Sequence, residues 1–326
     1  MRTHKPSFYL KTCAFLWWNW LYATAVSLCL FLLLGSFYYP STIGLYVLVP
    51  YLSYTILFRR DEVNKGNPWP SFSKNFPGFR CLQEYLGLEF KEPLPKELVE
   101  AENIDEAQFI FAVFPHGTNV DYRIIMDGML GKVLPNVAKK LRVLSASVLF
   151  RLPLVREFSL WTHCIDARRF VAEKNLDNGM SLLVIPGGMD EQLRTVYGKE
   201  TIFLSKRKGF IKLAMRQGIP IVPVYIFGCS DMFRTSNAFF RFRLWIMKTV
   251  GACIPLCMGL AGSFCPLPIK TTVVFGKPMA FEIKKVGAPS VEEVNRAHAT
   301  FTDAVLNLFD EHKNALGYGD RELHIL

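Results

Sequence analysis

Charge is missing from two long runs of this chain, residues 15–37 and residues 43–58. Such runs exclude ordinary water-facing helices. About 20 apolar residues suffice to span a bilayer, which makes the first run long enough and the second marginal. Pro40 and Ser41 lie between them and permit a tight reversal. Arg2, Lys5 and Lys11 precede the pair and Arg59 and Arg60 close it, so both outer ends carry the positive charge found on the cytosolic side. Residues 1–60 are therefore predicted to form a membrane hairpin, spanning or re-entrant, with Trp17, Trp18, Trp20 and Tyr22 as interfacial anchors. A cleaved signal peptide does not fit, since a second apolar run follows at once.

Other absences narrow the chemistry. The eight cysteines form no CxxC pair and the six histidines no cluster, which argues against a metal site and a disulfide framework. They read as reduced, mostly buried thiols. The chain has no Asn-X-Ser/Thr sequon, internal repeat or low-complexity tract. Acidic residues are outnumbered, 28 against 38 basic, for a net charge of +10. With the apolar runs, that balance points to a membrane surface and anionic ligands rather than to nucleic acid.

The stretch from Gln108 to Asp121 holds the strongest chemical signal. Phe109 to Phe114 is an unbroken apolar run, as in a strand buried on both faces, and Pro115 stops it before His116. Gly117 permits close approach, and Thr118 or Asn119 can cap a helix running roughly to Leu130. Asp121 then falls in its first turn, from which a carboxylate can orient the imidazole and leave one nitrogen to take a proton. The plainer alternative is a histidine tied up in a turn beside a helix-start aspartate.

Residues 61–107, broken by Pro68, Pro70, Pro77, Pro93 and Pro95, read as a connector with one or two short helices. From residue 108 the pattern alternates, with strands predicted at Phe109–Phe114, Arg142–Ser145, Leu182–Ile185, Ile221–Phe227 and Thr271–Phe275. Helical segments lie between most of them, giving an α/β domain, 108–326, with a largely buried sheet. Ser290 and Glu293 form a capping box for a helix with Val294, Phe301, Val305 and Leu308 on one face. Residues 241–264 mix Trp245 and leucines with basic residues and suit either an interfacial segment or a buried loop.

Three further blocks carry candidates. The arginines of Arg151–Glu157 and the pair Arg168-Arg169 after Cys164-Ile165-Asp166 suit an anion site, or simply solvated surface. Ile185-Pro186-Gly187-Gly188 ends a strand in a turn whose amides can face a phosphate or oxyanion, with Glu191 close by. Lys206-Arg207-Lys208 begins a helix, where the dipole disfavours cations, so these residues are expected to face anions.

Taken in order, Pro115-His116-Gly117, Arg156-Glu157, Gly187-Gly188-x-x-Glu191, Arg207-Lys208-Gly209-Phe210-x-Lys212-Leu213-Ala214, Val222-Pro223 and Phe227-Gly228 resemble the type 2 diacylglycerol acyltransferases. The likeness covers nearly the whole chain, within the wider glycerolipid acyltransferase superfamily. It implies a glycerolipid-acyltransferase-like fold and transfer of a fatty acyl group from acyl-CoA to a lipid hydroxyl, without metal or other cofactor. On this reading His116 is general base and Asp121 steadies the imidazolium. Acyl-CoA or the oxyanion is met by residues among Gly117, Arg168, Arg169, Gly187, Gly188, Glu191, Lys206, Arg207 and Lys208. Two departures stand out: the family's His-Pro-His-Gly is Phe114-Pro115-His116-Gly117 here, and its Glu after Phe-Gly is Cys229. The turn that carries a glutamate in glycerol-phosphate acylating relatives has Gly187 instead, so a neutral acceptor is expected, diacylglycerol first, then monoacylglycerol or a long-chain alcohol. A membrane hairpin protein that binds lipid or acyl-CoA without catalysis is the alternative of another class. Oligomeric state is left open.

Overall fold

A computed structural model describes residues 4–119, 121–281 and 289–326. Its centre is a seven-stranded sheet built from Glu89–Phe90 (β1), Ile110–Phe114 (β2), Leu141–Ser145 (β3), Cys164–Asp166 (β4), Ser181–Val184 (β5), Ile221–Phe227 (β6) and Thr272–Phe275 (β7). The spatial order is β1-β7-β6-β2-β5-β3-β4, and all neighbours run parallel except the antiparallel pair β6 and β7. The expected α/β architecture is therefore present, and each predicted strand lies within a residue or so of its expected place. The parallel strands β6, β2, β5, β3 and β4 end on one rim, where open α/β sheets bind ligands.

Strand alternation splits the core in two. Phe111 and Val113 of β2 join one cluster, whereas Ile110, Ala112 and Phe114 join the other, beneath the helices Gly209–Gln217 and Val291–Leu316. The latter helix starts with the anticipated Ser290–Glu293 capping box. Phe114 is fully buried and packs against Phe301 at 6.2 Å. Its ring thus belongs to the core and does not shape the site around His116.

The segment 61–107 is more than a connector. It holds four short helices, Glu62–Lys65, Pro70–Asn75, Pro77–Leu86 and Lys96–Ala101, supplies edge strand β1, and buries Leu82, Tyr85, Leu86 and Leu98 in the first core. Glu89–Phe90 and Cys164–Asp166 are too short to show a period in sequence.

The Phe8–Tyr38 helix is long and apolar enough to cross a membrane. Gly35 lies so close to Ile43 that an added Cβ would stand 3.1 Å from it, an approach that a straight helix excludes at that separation. The chain thus reverses near Pro40 and returns through helical turns to Phe58. The foot of the first helix is not free in lipid. Ala14 and Trp18, one turn apart, are buried in the first core, and Trp17 lies against Gly78 of the Pro77–Leu86 helix. Trp17 and Trp18 therefore seat the helix on the domain rather than anchor it in an interface; Trp20 alone of the three is exposed, and the side chain of Tyr22 lies outside the described residues.

Candidate active site

Three neighbouring strands converge on His116. It follows β2, while Gly187 and Gly188 follow β5 and Gly228 and Cys229 follow β6, the two strands flanking β2. The imidazole Nδ1 lies 3.0 Å from the Gly117 carbonyl oxygen. A carbonyl only accepts, so Nδ1 carries the proton and Nε2 presents its lone pair. Burial pushes the His116 pKa below the usual 6.5, with the Gly117 carbonyl acting weakly the other way. The neutral imidazole is thus the form favoured near pH 7. The helix after the site begins at Asp121 as expected, but the side chain of Asp121, like all of Val120, lies outside the described residues. The orienting contact visible on the ring is the Gly117 carbonyl.

Glu191 is the keystone of the loop. Its buried carboxylate accepts the backbone N–H of His116 on Oε1 and that of Phe203 on Oε2, the latter at 2.7 Å. It therefore ties the loop bearing His116 to a separate segment beside Arg207. Burial pushes the Glu191 carboxyl up to about 7, although the Phe203 and His116 amides and Arg207 all favour its ionised form. Gly187 is required here because a Cβ would overlap Glu191 Oε2. Gly117, at φ +66°, carries a second constraint, since a Cβ there would overlap the Cys229 sulfur.

Arg207 pairs with Asp190, which also receives Arg194 at 3.2 Å. Both guanidinium groups lie over the Phe203 ring, at 5.0 Å and 5.3 Å from its centroid. Gln192 donates to the Thr118 carbonyl at 2.7 Å, a second strut between the two loops. Sequence reading missed Asp190, Gln192 and Phe203 as partners; for Asp190 the signal was its place beside Glu191 in an already noted block.

The remaining candidates separate. Lys208 donates to Asn295 at 2.7 Å, and Lys206 is exposed. The cation run thus faces a carboxylate and an amide of the protein at two of its three positions. Arg168 and Arg169 sit past β4 at the sheet's edge, the first on Asp166 at 3.0 Å and the second on Glu173 at 2.8 Å. Gly188 begins the Gly188–Arg194 helix, but its amide already donates to the Ile185 carbonyl at 3.0 Å and is not available to an oxyanion. Among the described residues, the Gly117 and Gly187 amides have no such acceptor. Arg156 is buried and locked onto Glu157 at 2.8 Å and Glu62 at 3.2 Å. No group of side chains suited to a metal ion occurs among the described residues.

Residues 44–325 match the diacylglycerol acyltransferase family. The chain belongs to that family. It is 28% identical over 316 residues to diacylglycerol O-acyltransferase 2 of Dictyostelium discoideum, covering 90% of each chain. It is also 28% identical over 316 residues to human 2-acylglycerol O-acyltransferase 3, covering 89% of this chain and 85% of that one. Diacylglycerol O-acyltransferase 1 of Eremothecium gossypii is 34% identical over 188 residues, 54% of this chain but only 41% of the longer relative.

Proposed function

We propose that the chain transfers a fatty acyl group from acyl-CoA to the hydroxyl of diacylglycerol, with His116 as general base. The observation that carries this is the pinned imidazole at the end of the central strand, with Nδ1 held by the Gly117 carbonyl and Nε2 left to accept. Nε2 takes the hydroxyl proton as the lipid oxygen attacks the thioester carbonyl, and the amides of Gly117 and Gly187 would receive the oxyanion. Collapse breaks the C–S bond, and the imidazolium returns its proton to the departing CoA sulfur. Triacylglycerol and CoA are the products. Asp121 would steady the imidazolium, and Arg207 would add positive potential nearby.

A neutral acceptor is favoured at the turn, where Gly187 brings no side chain to orient a phosphorylated headgroup and the neighbouring Arg207 is already paired with Asp190, and by Cys229 beneath Gly117. A charged headgroup buried there without partners would cost several kcal/mol. Monoacylglycerol and long-chain alcohols are the next acceptors. The hairpin would place the enzyme in the endoplasmic reticulum membrane, with the catalytic domain cytosolic and passage to lipid droplets open to it. Purified protein given labelled acyl-CoA and a panel of acceptors tests the reading. Triacylglycerol synthesis with negligible acylation of lysophosphatidate is expected. A preference for lysophosphatidate overturns the acceptor class, and no turnover with any acceptor favours the lipid-binding alternative.

A further inference from the structure

A cleft of about 690 Å³ opens between the foot of the hairpin and the outer edge of the sheet, apart from the groups around His116. Arg60 and Asp61 line it from the hairpin side, Arg151 and Arg156 from the segment after β3, and Asp166 and Arg168 from the end of β4. Four arginines thus face two aspartates, and both acids are engaged. Asp61 receives Lys65 at 3.3 Å, and Asp166 receives the Arg168 side chain at 3.0 Å and its amide at 2.9 Å. Arg156 is committed to Glu62 and Glu157. By contrast, Arg60 and Arg151 are exposed and make no ion pair or hydrogen bond with the described residues.

Two uncommitted guanidinium forks at one cavity match the oxygens of a phosphate ester, which they bind bidentately. The half-exposed Phe170 ring, with the Arg168 guanidinium 4.8 Å from its centroid, gives the cleft a flat face suited to stacking. The volume is that of a site for a whole ligand rather than for an ion. Its position also bears on the chemistry. Strands β3 and β4 lie two and three places from β2, roughly 10 and 14 Å at the usual strand spacing, and all three end on the same rim. An extended arm from the cleft would lead along that rim toward His116.

We propose that this cleft is a phosphate-ester site, with the phosphorylated adenosine end of acyl-CoA as its first ligand and a phospholipid headgroup as the other source of the same chemistry. The CoA assignment rests on the acyl-transfer reading; the headgroup assignment does not. The test is direct binding, independent of turnover. The full-length protein in a neutral detergent is titrated calorimetrically with CoA, with dephospho-CoA and with dihexanoyl phosphatidylglycerol, as wild type, Arg60→Ala and Arg151→Ala. Each exposed substitution should weaken the true ligand about tenfold, the loss expected for a charge-assisted contact. For CoA, loss of its 3′-phosphate should weaken binding comparably. Weakening confined to CoA assigns the nucleotide, and weakening confined to the lipid assigns the headgroup. Unchanged affinity for both ligands in both variants overturns the proposal. CoA binding that depends on the arginines in a protein with no acyl transfer would uphold the site while refuting the catalytic reading.

Discussion

A histidine acts as a base only if its lone pair points where the proton will be, and here two neighbours decide that. The Gly117 carbonyl holds Nδ1, and Glu191 holds the backbone of His116 itself. His116→Ala should lower turnover by about 100-fold or more with folding and CoA binding retained, and residual activity above a tenth of wild type would exclude the base role. Because burial keeps the His116 pKa below 6.5, the acid limb of kcat/KM should lie below that pH, and a limb centred above it would contradict the site's geometry. Glu191 bears on stability. Its carboxyl moves from 4.5 to about 7 on folding, so its contribution is fully present below about 4.5 and is lost as pH rises through about 7. His116 runs the other way, gaining as pH rises to 6.5. Glu191→Gln removes the first trend, so its unfolding temperature should decline less than wild type between pH 6.5 and 7.5. Gln also turns an N–H group toward one of two backbone donors. An unsatisfied buried donor costs about 1–3 kcal/mol, so kcat should fall while KM for acyl-CoA changes little.

At the scale of elements, the site depends on how closely the β2, β5 and β6 loops approach, and Gly117 is the tightest point. Gly117→Ala should lose most activity for two separable reasons: a clash with the Cys229 sulfur and a φ of +66° that costs about 1–2 kcal/mol for a residue with a Cβ. Adding Cys229→Ala removes the first and leaves the second, so the double variant should recover part of the activity. No recovery would mean that the overlap is not what matters. These elements were unevenly legible. Strands β2 and β6 were plain because burial on both faces writes an unbroken apolar run, and Pro115 marks where β2 ends. Glu191 could be noted but its function could not, because its contacts to His116 and Phe203 join residues far apart in sequence. The tryptophans misled for a related reason. A cluster near an apolar run looks the same whether it faces lipid or, like Trp18, fills a core. The arginines were visible as charge, but only the fold separates Arg207, beside the Gly187 turn and Asp190, from Arg168 at the sheet's edge.

For the whole molecule, the proposed reaction raises the question of how the domain would meet an acceptor dissolved in a bilayer. Removing residues 1–60 would not isolate the hairpin's role, because Ala14 and Trp18 leave with it and open the first core. The Phe240–Val250 helix gives a cleaner handle. At about 100° per residue, Phe242 and Trp245 lie side by side, with Arg241 and Lys248 along their flank and Arg243 and Met247 turned into the protein. Phe242 and Trp245 are each 59% exposed and stack at 5.9 Å. The arrangement suits a helix lying in the headgroup region, apolar residues down and cations level with phosphates. Nearby, the loop containing Ser263 and Phe264 is tied to Asn19 of the Phe8–Tyr38 helix by hydrogen bonds of 3.1 Å, which ties this region to the hairpin. A fluorophore on Phe242→Cys in vesicles should therefore be shielded from a water-soluble quencher, whereas one on Ala299→Cys, exposed on the separate Val291–Leu316 helix, should be quenched freely. Equal quenching at the two positions would leave the hairpin as the anchor and return this helix to the aqueous side.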